Sequence, residues 1–425
     1  MKITLPALIT PPWGEGGSTI DRLTTWRGSP RLLFLVPVTC FVVAMIDGYD
    51  TLMLSFIAPL ISKEWALSPQ AFGKIFGGTY AGAALGAAMI GIAADRFGRK
   101  NMLLASLLLA GVCTFISAWS SGPTPLMWWR LAAGIGLGGA IPAISALTAE
   151  HASPGRGSVA VARMFLGYPV GALIGGVVTA GIMASVGWRG VLMGGGICAL
   201  LVVAPVALFV SETPGKARVV SVVHSRHPLA ELVSGGRMWG TVLVCAATCL
   251  TLLVSYFLVS WTPTVLTLNG TSPQRAALIG ATLNLGGLIG AWILSSLIGN
   301  LSPSRTIATS LAGGALVIAF LGQSLAVPGV TVFILIFAIG LLVIGAQANI
   351  PALCVHYYPA SVYSTGVGLA MAVGRLGSIV GPMIGGRLMS AQIGWGRLFL
   401  LAAVPAMMAA FALAAMPINR SKHGL

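Results

Sequence analysis

Twelve apolar runs of about 20 residues follow one another along this chain, separated by short polar breaks. They lie near 33–61, 72–94, 101–120, 126–149, 159–185 and 190–210, then near 238–268, 276–299, 305–325, 329–353, 362–389 and 395–417. A bilayer's hydrocarbon core is about 30 Å thick, and a helix needs about 20 apolar residues to cross it. No soluble core could absorb so many such runs. Only 8% of the 425 residues are charged, against about 25% in soluble domains. The pattern predicts an all-α polytopic membrane protein with twelve transmembrane helices.

The longest polar break, Ser211 to Arg237, divides the runs into two sets of six. The expected organisation is an N-terminal tail (1–30), a first six-helix half (31–210), a central loop (211–237), a second half (238–417) and a short C-terminal tail (418–425). The formal net charge of +15 would suggest nucleic acid in a soluble protein, but here it reads as loop charge. If the N-terminus is inside, 16 of the 24 Lys and Arg fall on the cytoplasmic side and six outside. That bias predicts both termini in the cytoplasm. The two halves also repeat. Gly167, Gly171, Gly175 and Gly176 reappear 210 residues later as Gly377, Gly381, Gly385 and Gly386. Two duplicated six-helix halves with a site between them near the midplane are the plan of a secondary transporter, and small residues at this spacing let helices pack closely.

Within the first run stands Asp47-Gly48-Tyr49-Asp50. Each acid costs about 2.5–3.5 kcal/mol to insert at mid-membrane. Three residues apart, the two fall on one face of a helix, and like charges so close resist joint ionisation. They are candidate proton carriers, with the proton as coupling ion and no other cofactor expected. Arg130 opens the fourth run and stands within reach of this pair, so it is counted with them, although an Arg reaching to the interface is a rival reading. Arg375 lies close to mid-membrane in the eleventh run. The second half contains no Asp or Glu after Glu231, so its counter-charge must be backbone, a first-half carboxylate or an anionic substrate. A guanidinium matches a carboxylate bidentately, which makes Arg375 the leading substrate-binding candidate. Asn284 and Gln347 are isolated amides that could bond substrate or a neighbouring helix. Tyr49, Tyr256 and Trp261 could stack on a ring, or simply pack.

Between the second and third runs stands Gly91-Ile92-Ala93-Ala94-Asp95-Arg96-Phe97-Gly98-Arg99-Lys100. The tight turn needs Gly98, and Asp95 can pair with Arg96, Arg99, Lys100 or a helix N-terminus. A gating latch is expected there, with Glu150 at the end of the fourth run as a further candidate. The glycine ladder after Arg130 (Gly134, Gly136, Gly138, Gly139) has no preceding strand and so is not a dinucleotide loop. The six cysteines sit in apolar segments without metal-ligand spacing, which excludes a disulfide framework and a metal site. The first 30 residues lack the form of a signal peptide. No Walker sequence, zincin motif or nucleophile–His–acid set appears, which argues against an ATP-driven pump or an enzyme.

The segment Gly91 to Lys100 resembles the G-x-x-x-D-R-x-G-R-K signature of the major facilitator superfamily, and Arg130 with its glycine ladder resembles that superfamily's second signature. The D-G-Y-D stretch, with Ser55-Phe56-Ile57-Ala58-Pro59, Thr365-Gly366-Val367-Gly368 and Gly374-Arg375-Leu376-Gly377, resembles one branch, the aromatic acid:proton symporters. The resemblance covers about 30–417. It implies proton-coupled uptake of benzoate-like acids, such as hydroxybenzoates, protocatechuate or hydroxyphenylpropionates, across a bacterial inner membrane by a monomer, with no nucleic-acid partner. One departure is Tyr363-Ser364, where the family usually carries an Arg. Two other functions stay open. One is a proton-antiporting exporter, whose usual mark is a Gly-Pro in the fifth run; here Gly381-Pro382 stands in the eleventh instead. The other is a transport-fold sensor of aromatic acids.

Overall fold

The structure is a computed structural model that describes residues 30–152, 156–210, 231–232, 234, 236–298, 301–324, 329–359 and 362–416, with the side chains of 30–34, 95, 158, 363 and 364 excepted. The central-loop charges at 212, 216, 218 and 226, both termini and the side chain of Asp95 therefore lie outside the described residues. Among the described residues every regular element is a helix: α1 (Pro30–Glu64), α2 (Pro69–Phe97), α3 (Arg99–Ser117), α4 (Pro123–Glu150), α5 (Gly157–Phe165), α6 (Gly167–Phe209), α7 (Met238–Leu268), α8 (Pro273–Ile298), α9 (Pro303–Ser324), α10 (Val330–Ile339), α11 (Gly345–Ala348), α12 (Ile350–Tyr357), α13 (Tyr363–Ser390) and α14 (Trp395–Ala414). A π-helical turn, Gly340–Ile344, joins α10 to α11.

Eleven continuous segments are long and apolar enough to span a membrane, and one of them, Val159–Phe209, runs for 51 residues. At about 1.5 Å per residue that is more than twice the hydrocarbon thickness. It breaks at Gly187, whose φ of 65° and ψ of −177° no helix contains. Two crossings meet there, so the crossings number twelve. Large apolar side chains such as Met89, Ile92, Leu201, Leu208, Trp239, Trp292 and Phe411 point outward from the bundle, the distribution a lipid solvent requires.

The repeat read from the glycines is a repeat of packing. In the first half α1 lies on α6, and Gly167 and Gly171 take the backbone of Phe41 and Met45 where a Cβ would stand. In the second half α7 lies on α13, and Gly377 and Gly381 do the same for Cys249 and Leu253. The α2–α4 pair has its counterpart in α8 with the α10–π–α11 segment. Thus each half is two close-packed glycine seams with further helices laid against them.

The halves meet at one end of the bundle, the end that carries Glu64 and Pro69. The principal contacts across the divide are α2 with α13, α6 with α8, and α1 with α7 and α8. Tyr80 stacks edge-on against Tyr256 at 4.6 Å and its hydroxyl meets that of Ser260 at 3.1 Å. Phe76 stacks on Trp261 at 5.5 Å, and the Gln70 N–H donates to Ser390 Oγ at 2.8 Å. Toward the other end, which carries Phe97 and Glu150, the first half has a separate apolar core built from its own residues alone, including Val36, Val43, Leu107, Ile144, Leu147 and Val206. Among the described residues the halves are therefore fused at the Glu64 end, while at the Phe97 end the first half packs around a core of its own.

Candidate functional site

Between the halves lies a small, partly open cavity, lined by Leu52 and Tyr168 from the first half and by Ser255, Tyr256, Val259, Asn284, Ile344 and Gln347 from the second. Three of the residues predicted to bind substrate, Tyr256, Asn284 and Gln347, are brought together here. Tyr168, Ser255 and Leu52 were not predicted. Tyr168 carried a usable signal, since it sits in the repeated glycine ladder of the fifth crossing; Ser255 and Leu52 carried none. Three predicted residues do not line it: Arg375, which stands within electrostatic reach of the lining residue Tyr168, Trp261 and Tyr49. Trp261 is buried in the fused end, where its indole N–H donates to the Pro382 carbonyl at 2.9 Å. Tyr49 packs between α1 and α6 against Gly175 and Gly195.

The two acids have different partners, although they share a helix. Asp50 is 1% exposed and Arg130 is fully buried. Arg130 donates from both terminal nitrogens to the Asp50 carboxylate, at 2.8 and 3.3 Å, and again to the Asp50 carbonyl at 3.1 Å. The Thr114 hydroxyl closes the triangle, donating to Asp50 at 2.8 Å and accepting from Arg130 at 3.1 Å. This is a bidentate, charge-assisted pair that ties α1 to α3 and α4 inside the first half.

Asp47 is buried as well, but among the described residues its one bonded neighbour is the Thr51 hydroxyl one turn along. It stands within electrostatic reach of Arg375, on the opposite half, and both stand within reach of Tyr168 at the cavity wall. No ion pair holds Arg375 among the described residues. Gly48 makes the arrangement possible: a Cβ there would overlap the Tyr168 carbonyl, so the glycine between the acids lets α6 carry Tyr168 against α1.

At the Phe97 end, Gly98 takes φ 92° between α2 and α3, a conformation that favours glycine. From the turn it makes, Arg99 pairs with Glu150 at the end of α4, and Lys100 donates to the Ala207 carbonyl near the end of α6 at 2.7 Å. Arg96 lies over the Phe97 ring. These bonds brace the ends of three first-half helices and none crosses the divide.

A glycine-seamed pair of six-helix halves around a central cavity is the architecture of a transporter of the major facilitator type. The chain belongs to the Major Facilitator Superfamily, whose family model matches residues 40–382. Its relatives are transporters and not enzymes. It is 32% identical to a gallate transporter of Pseudomonas putida, over 90% of this chain and 91% of that one. It is 33% identical to a 3-(3-hydroxy-phenyl)propionate transporter of Escherichia coli (89% and 92%), and 29% identical to a 4-hydroxybenzoate transporter of Acinetobacter baylyi (93% and 94%). Among solved structures, a bacterial homologue of the human lysosomal transporter Spinster superposes with a TM-score of 0.78 at 16% identity, covering 91% of this chain and 97% of that one. A D-xylose-proton symporter superposes at 0.70 with 19% identity, covering 90% and 97%. The protein is thus a multi-pass membrane transporter whose relatives carry aromatic acids.

Proposed function

We propose that the protein takes up an aromatic carboxylate together with a proton across the bacterial inner membrane, working as a monomer with both termini in the cytoplasm. The observation that carries the reading is the unpaired Asp47–Arg375 couple set across the divide beside an aromatic-lined cavity. Before substrate enters, the Asp47 carboxylate is a counter-charge within electrostatic reach of the guanidinium. An entering carboxylate competes for Arg375, and Asp47 then keeps its place in the low-dielectric interior only by taking a proton. Substrate and proton therefore load together. The exchange also answers the membrane potential, since moving one negative charge inward against 100 mV costs about 2.3 kcal/mol and a co-transported proton cancels it.

With the termini inside, the fused Glu64 end faces outward and the free Phe97 end faces the cytoplasm. The structure then corresponds to the inward-facing member of an alternating pair. The three relatives named above carry gallate, a hydroxyphenylpropionate and 4-hydroxybenzoate, which supports the substrate class.

Purified protein in liposomes should accumulate labelled 4-hydroxybenzoate or another benzoate-like acid under an imposed inward proton gradient, and a protonophore should abolish the accumulation. No gradient-stimulated accumulation of any such acid would overturn the proposal. Gradient-driven loss of preloaded acid would instead indicate antiport, and binding without flux a sensor.

A further inference from the structure

We infer that Ser255, Asn284 and Gln347 read a hydroxyl on the substrate ring, so that the site selects hydroxylated over unsubstituted aromatic acids. The inference rests on the aromatic-carboxylate reading above.

Among the described residues, three buried polar atoms, Ser255 Oγ, Asn284 Nδ2 and Gln347 Oε1, find no hydrogen-bond partner, and all three residues line the same cavity. They come from three different segments of the second half, α7, α8 and α11. Buried polar atoms are nearly always paired in native proteins, and leaving them unpaired is costly. Thr251 and Thr264, on the helix of Ser255, are also unpartnered but do not line the cavity, so what singles out Ser255, Asn284 and Gln347 is their convergence on one cavity; other polar residues nearby satisfy themselves. Thr248 and Thr262, on the helix of Ser255, turn back onto the carbonyls of Val244 and Leu258 at 2.7 and 2.6 Å. Asn349, just beyond Gln347, spends its amide on the carbonyls of Ala291 and Gly345 at 3.2 and 2.9 Å. Ser255, Asn284 and Gln347 make no such bond and are left facing the cavity.

The rest of the lining is apolar or aromatic and no charged side chain contributes to it. An unpartnered set of neutral groups suits a neutral group on the ligand, while the carboxylate goes to Arg375. A phenolic hydroxyl both donates and accepts. It can take the Asn284 N–H and give its own proton to the Gln347 carbonyl, with Ser255 able to serve in either role. The π-helical turn at Gly340–Ile344 supplies the placement: an inserted residue re-registers the helix, and Ile344 and Gln347, three apart, then share the cavity face.

The test is calorimetric titration of the purified protein with benzoate, 3-hydroxybenzoate and 4-hydroxybenzoate, which carry the same charge. At least one hydroxylated acid should bind about tenfold or more tighter than benzoate, because an analogue lacking the hydroxyl leaves the protein's polar groups unpaired. In Asn284→Leu and in Gln347→Met that ratio should fall to below about threefold. Equal binding of all three acids to the wild-type protein overturns the inference while leaving aromatic-carboxylate binding in place. A ratio retained in both variants overturns the residue assignment. Absence of binding by every acid overturns the aromatic-carboxylate reading and this inference with it.

Discussion

Asp47 and Asp50 differ in what holds them, and the difference separates the consequences of removing each. Asp50→Asn strips the counter-charge from a fully buried Arg130. Breaking such a pair on one side costs about 3–5 kcal/mol, so the variant should unfold at a markedly lower temperature in detergent, and Arg130→Met in the same chain should recover part of the loss. Asp47→Asn removes no bonded charge partner. It should keep its melting temperature, lose accumulation driven by a proton gradient, and retain counterflow exchange of substrate, which needs no net proton movement. Retained gradient-driven accumulation in Asp47→Asn would remove it from coupling. The acids were legible in the sequence because of their cost in an apolar run, and so was a contact with Arg130. Which acid it would claim was not. Three residues of helix turn a side chain about 300°, which leaves the two acids about 60° apart, enough for one to face α3 and α4 and the other the divide. Only the neighbours' positions decide which does which.

At the scale of the helices, the sequence declared its seams openly. Glycines at a fixed offset of 210 residues mark the same backbone-to-backbone packing in both halves, and the crossings follow the apolar runs closely. The fifth and sixth crossings were read as separate because of their length, and Gly187 is where they turn. What the runs could not convey is rotation about each helix axis. Tyr49 and Trp261 were therefore expected at the substrate and instead pack inside a half and in the fused end. Gly48 and Gly181 make a matched test of the seams. A methyl at Gly48 would collide with the Tyr168 backbone, whereas a methyl at Gly181 meets nothing within 4 Å. Gly48→Ala should lower the melting temperature and impair transport together. Gly181→Ala should leave transport intact and hold or slightly raise stability, by about 0.5–1 kcal/mol at most. Equal behaviour of the two variants would mean that close approach at the α1–α6 seam is not what the glycine provides.

For the whole molecule, alternating access requires that the fused end come apart while the free end closes. The specific contacts that must break there include the Tyr80–Tyr256 stack with the Tyr80–Ser260 hydrogen bond, Phe76 on Trp261, and the Gln70 backbone N–H on Ser390. Edge-on aromatic pairs contribute about 0.5–1.5 kcal/mol each beyond their buried area, a scale that permits reversal by substrate and proton binding. None of these pairings was legible from sequence, because each joins residues at least 176 positions apart, across the divide between the two halves. A covalent lock follows from the same geometry. The Gln70 backbone N–H lies 2.8 Å from Ser390 Oγ, which sets the residue 390 side chain against the backbone of residue 70 and makes this pair the cross-link to try. Oxidising Gln70→Cys/Ser390→Cys should hold the Glu64 end shut and stop uptake, and a reductant should restore it. Each single variant should transport through the same treatment, which separates the bridge from oxidation of the six native cysteines. Full uptake by the bridged protein would mean that these ends do not separate during the cycle, and the fused end would then have to be treated as a permanent joint and not as a gate.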